Sequence, residues 1–110
     1  MQVSELIEKT GWKLLNTSAD LSKEIDGAYC GDLLSWVMGN GNPKQAWITV
    51  QVHINVIAVA VLREFSCVIV ADNAAASPEM LAKADAEKLP LIASGMPAYE
   101  SARKLVELGV

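Results

Sequence analysis

Residues 54–62 read Ile-Asn-Val-Ile-Ala-Val-Ala-Val-Leu, apolar everywhere except Asn55, and a second apolar run at 67–71 begins after only four more residues. Local propensity favours strand for the first run, which is rich in β-branched types. Length argues the other way. Taken as far as Phe65 the segment has twelve residues, which suits a crossover helix feeding a parallel strand better than one long strand. We therefore expect a helix over 54–65 that leads into a strand over 67–71. A helix apolar on nearly every side must be covered on nearly every side, by its own sheet and by something else.

The rest of the chain alternates in the same way. Residues 3–11 predict a short helix, with Ser4 as N-cap, Glu5 in the first turn and Gly11 after the last. A short strand is expected at 12–15, and a polar, acidic connection or irregular helical turn at 16–26. Small residues at 27–31 suit a buried strand, and Asp32 is placed to cap a helix over 33–38 that the turn 39–43 stops. Residues 46–50 form the next strand, rich in β-branched and aromatic types. Ser77, Pro78 and Glu79 stand in the order of a helix start, and that helix runs toward Lys88. A strand at 89–93 takes Pro90 at its beginning, and Pro97 opens a last helix closed by Gly109. This order of elements predicts one α/β domain over 1–110, in two or three layers, with a largely parallel sheet flanked by helices.

Charge and cysteine content narrow the function. Nine basic and thirteen acidic side chains leave a net charge of -4, which argues against a nucleic-acid binder and offers no polybasic anchor for lipid. The N-terminus lacks a basic region followed by an apolar run, and no stretch approaches the 18 or so apolar residues of a membrane helix, so we expect a cytoplasmic protein. Cys30, Cys67 and His53 are the only thiols and imidazole. Clusters and structural zinc usually take four such ligands, so two reduced thiols, at least one buried in a strand, and no metal or other cofactor are expected.

In open α/β sheets ligands bind beyond the carboxyl ends of the strands. That rule selects Gly31 and Asp32, then Gln51, His53 and Asn55, then Asp72 and Asn73, then Ser94 and Gly95. Helix N-termini beginning there would offer free N–H groups to phosphate or another anion. The same residues also serve as ordinary caps and turns in strand–helix loops. His53 can act as a base, a phosphate contact or a metal ligand, or simply as a capping or packing residue; no carboxylate pair or nucleophile stands at a fixed spacing from it. The glycine-rich run from Gly39 to Lys44 lacks phosphate-loop spacing and follows a helix instead of a strand, so it reads as a turn. Trp36 and Trp47, on either side of it, suit a core or an interface.

The block Gly31-Asp32-Leu33-Leu34-Ser35-Trp36-Val37-Met38-Gly39, followed by Ala46-Trp47-Ile48-Thr49-Val50-Gln51-Val52-His53, resembles the DRTGG-domain family. The likeness is to stand-alone members of about this length found near iron-only hydrogenase genes. It implies a fold like the N-terminal domain of HPr kinase/phosphorylase, and a regulatory or dimerising role without catalytic residues. The kinase's phosphate loop lies in a different domain. The literal Asp-Arg-Thr-Gly-Gly string is absent, and Ser94-Gly95-Met96 stands where a Thr-Gly-Gly element is expected.

Three functions follow as expectations. The first is a non-enzymatic regulatory or assembly module, homodimeric through the apolar helix and accessory to a hydrogenase or other redox complex. The second is a sensor of an adenine nucleotide or other phosphate compound, with Asp32, Gln51, His53, Asn55, Ser94 and Gly95 as its binding residues. The third, an enzyme with His53 as base, has the least support in the sequence.

Overall fold

The computed structural model describes all 110 residues. The elements are α1 (Val3–Thr10), β1 (Lys13–Leu14), β2 (Ala28–Cys30), α2 (Leu34–Asn40), β3 (Ala46–Thr49), α3 (Asn55–Leu62), β4 (Cys67–Val70), α4 (Pro78–Ala86), β5 (Leu91–Ala93) and α5 (Ala98–Glu107). One five-stranded sheet runs in the order β1-β5-β4-β3-β2. β2, β3, β4 and β5 are parallel, and β1 lies antiparallel on β5 with Lys13 opposite Ala93. The α/β class and the largely parallel sheet expected from the sequence are both present.

Strand alternation sorts the core into two layers. Trp47, Val68, Val70 and Leu91 face α2, α3 and α4, where they meet Val37, Val56, Ile57, Ala60, Met80 and Ala84. Ala46, Ile48, Cys67, Ile69 and Ile92 face the other way and pack under Val3, Leu6 and Leu105 of α1 and α5. The strands β2 to β5 lie side by side in chain order, and right-handed crossovers between such neighbours place all three connecting helices on one face. The molecule is thus three-layered. Phe65 closes the base of the first layer, its ring tilted against Trp47 with centroids 5.6 Å apart.

The helical reading of the central segment holds: α3 occupies 55–62 between α2 and α4. Two apolar stripes share this helix. Val56, Ile57, Val59 and Ala60 are buried, whereas Ile54, Ala58, Val61 and Leu62 face outward. The spacing of the second set, i, i+4, i+7 and i+8, is that of a helix face that normally packs on something.

Two expected caps are displaced. Ser4 lies inside α1; Gln2 is the N-cap, and the Glu5 carboxylate accepts its N–H at 3.1 Å. Asp32 does not cap α2, whose N-cap is Leu33. Its carboxylate is drawn across to β3, and the helix starts later and continues through Gly39 and Asn40 to end at Gly41. A Cβ on Gly41 would lie 2.3 Å from the Phe65 ring, so only glycine lets the chain pass there. By contrast Ser77 caps α4 as expected, accepting from Met80 N–H at 3.2 Å. Residues 16–26 are neither helix nor strand. They run beneath the amino ends of the strands, anchored by backbone bonds such as Asp26 N–H to Lys44 O and by Ser66 Oγ donating to Glu24 O. Buried Asn16 bridges both sides of Pro90: its amide donates to Leu89 O at 2.9 Å and accepts from Leu91 N–H at 3.0 Å. It thereby stands in for the neighbouring strand that a proline would otherwise leave unmatched.

Candidate functional site

The polar residues beyond the strand ends fall into two groups. Around β2 and β3, Asp32 Oδ1 accepts from Thr49 Oγ1 and from Val50 N–H, each at 2.8 Å. Gln51 N–H donates to Thr49 Oγ1 at 3.1 Å, and the Gln51 amide donates to Asp32 O at 3.1 Å. Asp32, Thr49 and Gln51 thus form one network that fixes the loop after β3 to the start of α2. Two residues further on, His53 Nδ1 accepts from Asn55 N–H at 3.0 Å. The imidazole caps the first turn of α3, and in its neutral form the proton then sits on Nε2. Asn55 is exposed at that turn.

Gln51 and His53 share a cleft of about 510 Å³ with Val50, Val52, Ile54, Ser77 and Glu79. Three aliphatic side chains form its walls, and the polar groups come from two elements. It contains no Lys or Arg. Pro78 brings no N–H to the start of α4, and Ser77 already holds Met80 N–H, so little donor capacity for an anion remains there. Glu79 adds a negative charge.

Ser94 and Gly95 belong elsewhere. Ser94 Oγ lies 2.8 Å from Ser101 Oγ, donates to Met96 O and accepts from Met96 N–H, which ties the end of β5 to α5. Gly95 has φ +71, and the Asn73 side-chain oxygen lies 3.8 Å from where its Cβ would be. Asp72 and Asn73 both have positive φ, a pair of left-handed residues that Asp and Asn tolerate better than most. None of the four main clefts brings Ser94 or Gly95 together with Gln51 or His53. Of the six residues expected to bind, Gln51 and His53 share the cleft, Asp32 supports it from behind, Asn55 adjoins it, and the last two serve a turn.

Cys30 is exposed and Cys67 is buried in β4. Partial burial, with the Asp32 carboxylate nearby, raises the Cys30 thiol above its ordinary value. Full burial pushes Cys67 up to about 12. No group of three His, Cys, Asp or Glu side chains is arranged to hold a metal ion. No helix is long and apolar enough to cross a membrane.

A second surface was not legible from motifs. Leu33 is 66% exposed and Trp36 64%, with Met38 also exposed on α2; on α3, which packs against α2, Ile54, Val61 and Leu62 (56%) stand out. From residue 33 to residue 62 the only charged side chain is Lys44, which lies in the loop before β3 and not on either helix. This gap in charge is the sequence signal that marks the surface. Such clustering of large apolar side chains without charge is typical of interaction sites.

No protein-family model matches the chain, and no curated protein matches it in sequence.

Proposed function

We propose that this chain is a non-enzymatic regulatory or assembly module that acts in the cytoplasm as a homodimer joined through the outer faces of α2 and α3. The observation that carries the reading is the uncharged apolar surface of Leu33, Trp36, Met38, Ile54, Val61 and Leu62. A two-fold contact uses the same patch on both subunits, so that residue i meets residue j wherever j meets i, and only residues near the axis meet their own kind. For a chain of net charge -4, a face without charges is the one that meets its copy without repulsion. The block resembling the DRTGG-domain family, residues 31–39, includes most of α2 and contributes Leu33, Trp36 and Met38 to this surface. By that resemblance the module serves an iron-only hydrogenase or a related redox complex. Light scattering at micromolar concentration tests the assembly. The expected mass is about twice 11.8 kDa, falling to the single-chain value in a Trp36→Glu/Leu62→Glu variant. A wild-type monomer throughout the micromolar range overturns it.

A second reading rests on the cleft at Gln51 and His53: a sensor for a small ligand, for which the sequence suggests an adenine nucleotide or phosphate compound. The aliphatic walls suit a flat or apolar moiety, while Glu79 and the lack of a basic side chain favour an uncharged or amine-bearing group over a phosphate. A ligand held only by the folded state raises the melting temperature. ATP, ADP, AMP, adenosine and phosphate at millimolar concentration distinguish these cases. Adenosine is expected to give the larger shift and Gln51→Ala to abolish it; no shift with any of the five removes the reading.

A further inference from the structure

A second cleft, of about 380 Å³, opens at the amino ends of the strands, where the carboxyl-end rule does not look. Val61 comes to it from the last turn of α3, and Glu64 and Phe65 follow that helix. Glu87 is the C-cap of α4, and Leu89 lies two residues further on. Lys44 precedes β3, and Lys23 comes from the irregular segment 16–26. Val61, Phe65 and Leu89 give the cleft an apolar lining, with Phe65 and Leu89 buried.

The charges around this lining have opposite signs, and three of them are unpaired. Lys44 N–H donates to Glu64 O at 2.9 Å, so the two residues are backbone neighbours, yet neither side chain enters an ion pair. Both are non-glycine residues in the left-handed region, at φ +68 and +57, which a chain keeps only where its surroundings hold it. Here Lys44 O accepts from Asp26 N–H at 2.8 Å, and Glu64 N–H donates to Val61 O at 3.1 Å. Lys23 is half-buried and also unpaired. Burial raises the Cys67 thiol and the Lys23 charge works against that rise, which puts the ammonium near the amino end of β4. Glu24 and Glu87, by contrast, are already engaged, by the Met1 amino group at 3.4 Å and by Lys83 at 3.2 Å. The C-terminal ends of α3 and α4 reach the same cleft, and the negative end of a helix favours a cation.

A simple anion would answer the two lysines and leave Glu64 and the helix ends unmatched. An amine would do the reverse. Both needs are met by opposite charges close together on one small apolar body. We infer that this cleft binds a zwitterionic α-amino acid with an aliphatic or aromatic side chain. Its carboxylate lies on Lys44 and Lys23, its ammonium on Glu64, and its side chain against Val61, Phe65 and Leu89. The volume is that of a small-molecule site. All the lining residues belong to one chain, at the opposite end of the strands from Gln51 and His53, so the inference depends on neither reading above.

Amide NMR of the full chain tests it, with L-leucine as the probe. Two analogues divide its charges: isocaproate lacks the ammonium and isopentylamine lacks the carboxylate. Leucine is expected to shift the amides of Glu64, Phe65 and Leu89 saturably at millimolar concentration, and each analogue to bind roughly tenfold more weakly for want of one charge-assisted bond. Lys44→Met should weaken leucine but not isopentylamine, and Glu64→Gln should weaken leucine but not isocaproate. Both side chains are exposed and unpaired, so the variants should keep the wild-type spectrum elsewhere; Lys23→Met gives the same readout as Lys44→Met if the latter disturbs the loop. No saturable shift with L-leucine, L-phenylalanine or L-methionine overturns the proposal. Isocaproate binding as well as leucine also overturns it, by showing a plain anion site, and so does isopentylamine binding as well as leucine. Leucine binding that is unchanged in both variants overturns it by placing the ligand elsewhere.

Discussion

The outer faces of α2 and α3 and the outer face of α5 cover opposite sides of one sheet, yet they meet solvent with opposite chemistry. α5 presents Glu100, Arg103, Lys104 and Glu107, linked by contacts of 3.2 to 3.9 Å. α2 and α3 present no charge at all. Both helical layers bury an inner stripe of similar character, so the need for a core does not account for the difference. α5 has one apolar side and one polar side, the pattern of a helix finished by water. α3 has two apolar sides, and the fold uses only one of them.

The largest test of this contrast lies inside the sheet. Trp47 and Ile48 are adjacent on β3 and point into different layers. Trp47→Ala should lower stability by about 3–5 kcal/mol, and Ile48→Val by about 0.5–1.5 kcal/mol; chemical denaturation measures both. Because Trp47 supports the layer of α2 and α3, with its indole N–H held by Gly31 O at 2.9 Å, its loss should also weaken the proposed dimer, whereas the Ile48 change should leave that assembly intact. Next in size is the outer surface itself. If the proposed dimer forms, Leu62→Glu should raise its dissociation constant by at least tenfold in sedimentation experiments, and Val106→Glu, on α5 and more exposed still, should not change it. Equal effects would erase the distinction between the two faces.

The two thiols sharpen the comparison further. At pH 8 a thiol reagent should modify one cysteine per native chain, Cys30, and reach Cys67 only on unfolding; mass spectrometry after digestion distinguishes them. Burial in the folded state raises the Cys67 thiol from its ordinary value of 9.0 to about 12. Its protonated form is the favoured one, so the associated stability is fully present below about pH 9 and is lost as pH rises toward 12. The denaturation midpoint of wild type should therefore fall across that window more steeply than that of Cys67→Ala. The smallest effect belongs to the charged face: Arg103→Ala should change stability by about 0.2–1 kcal/mol, less at high salt, since its partners are exposed.

Much of the fold was readable because hydrophobic period and turn chemistry agreed. The Ser77-Pro78-Glu79 start, the apolar strands at 46–50 and 67–71, and the crossover length of the central segment all led to elements that are present. The caps at Ser4 and Asp32 were misplaced for a physical reason. A short polar side chain near a helix start has several acceptors and donors in reach, and only tertiary contacts decide among them. Asp32 found Thr49 and Val50, seventeen and eighteen residues away, which no local pattern encodes. The site was readable only in part. Gln51 and His53 come together because one loop carries both, whereas Ser94 turned toward Ser101 once α5 had folded back on the opposite face. Trp36 and Trp47 look alike in sequence; one is buried and one exposed because Val37, not Trp36, is the α2 residue that meets the sheet.

The strand order has a consequence for how the chain is made. β2 and β3 leave the ribosome early and acquire α2 and α3 at once, but their opposite side waits for α5, which lies against both. Until α5 emerges, only α1 and the segment that follows it can cover Ala46 and Ile48 on that side. A nascent chain lacking α5 should therefore leave part of this layer uncovered, and native structure should be completed only once α5 has left the ribosome.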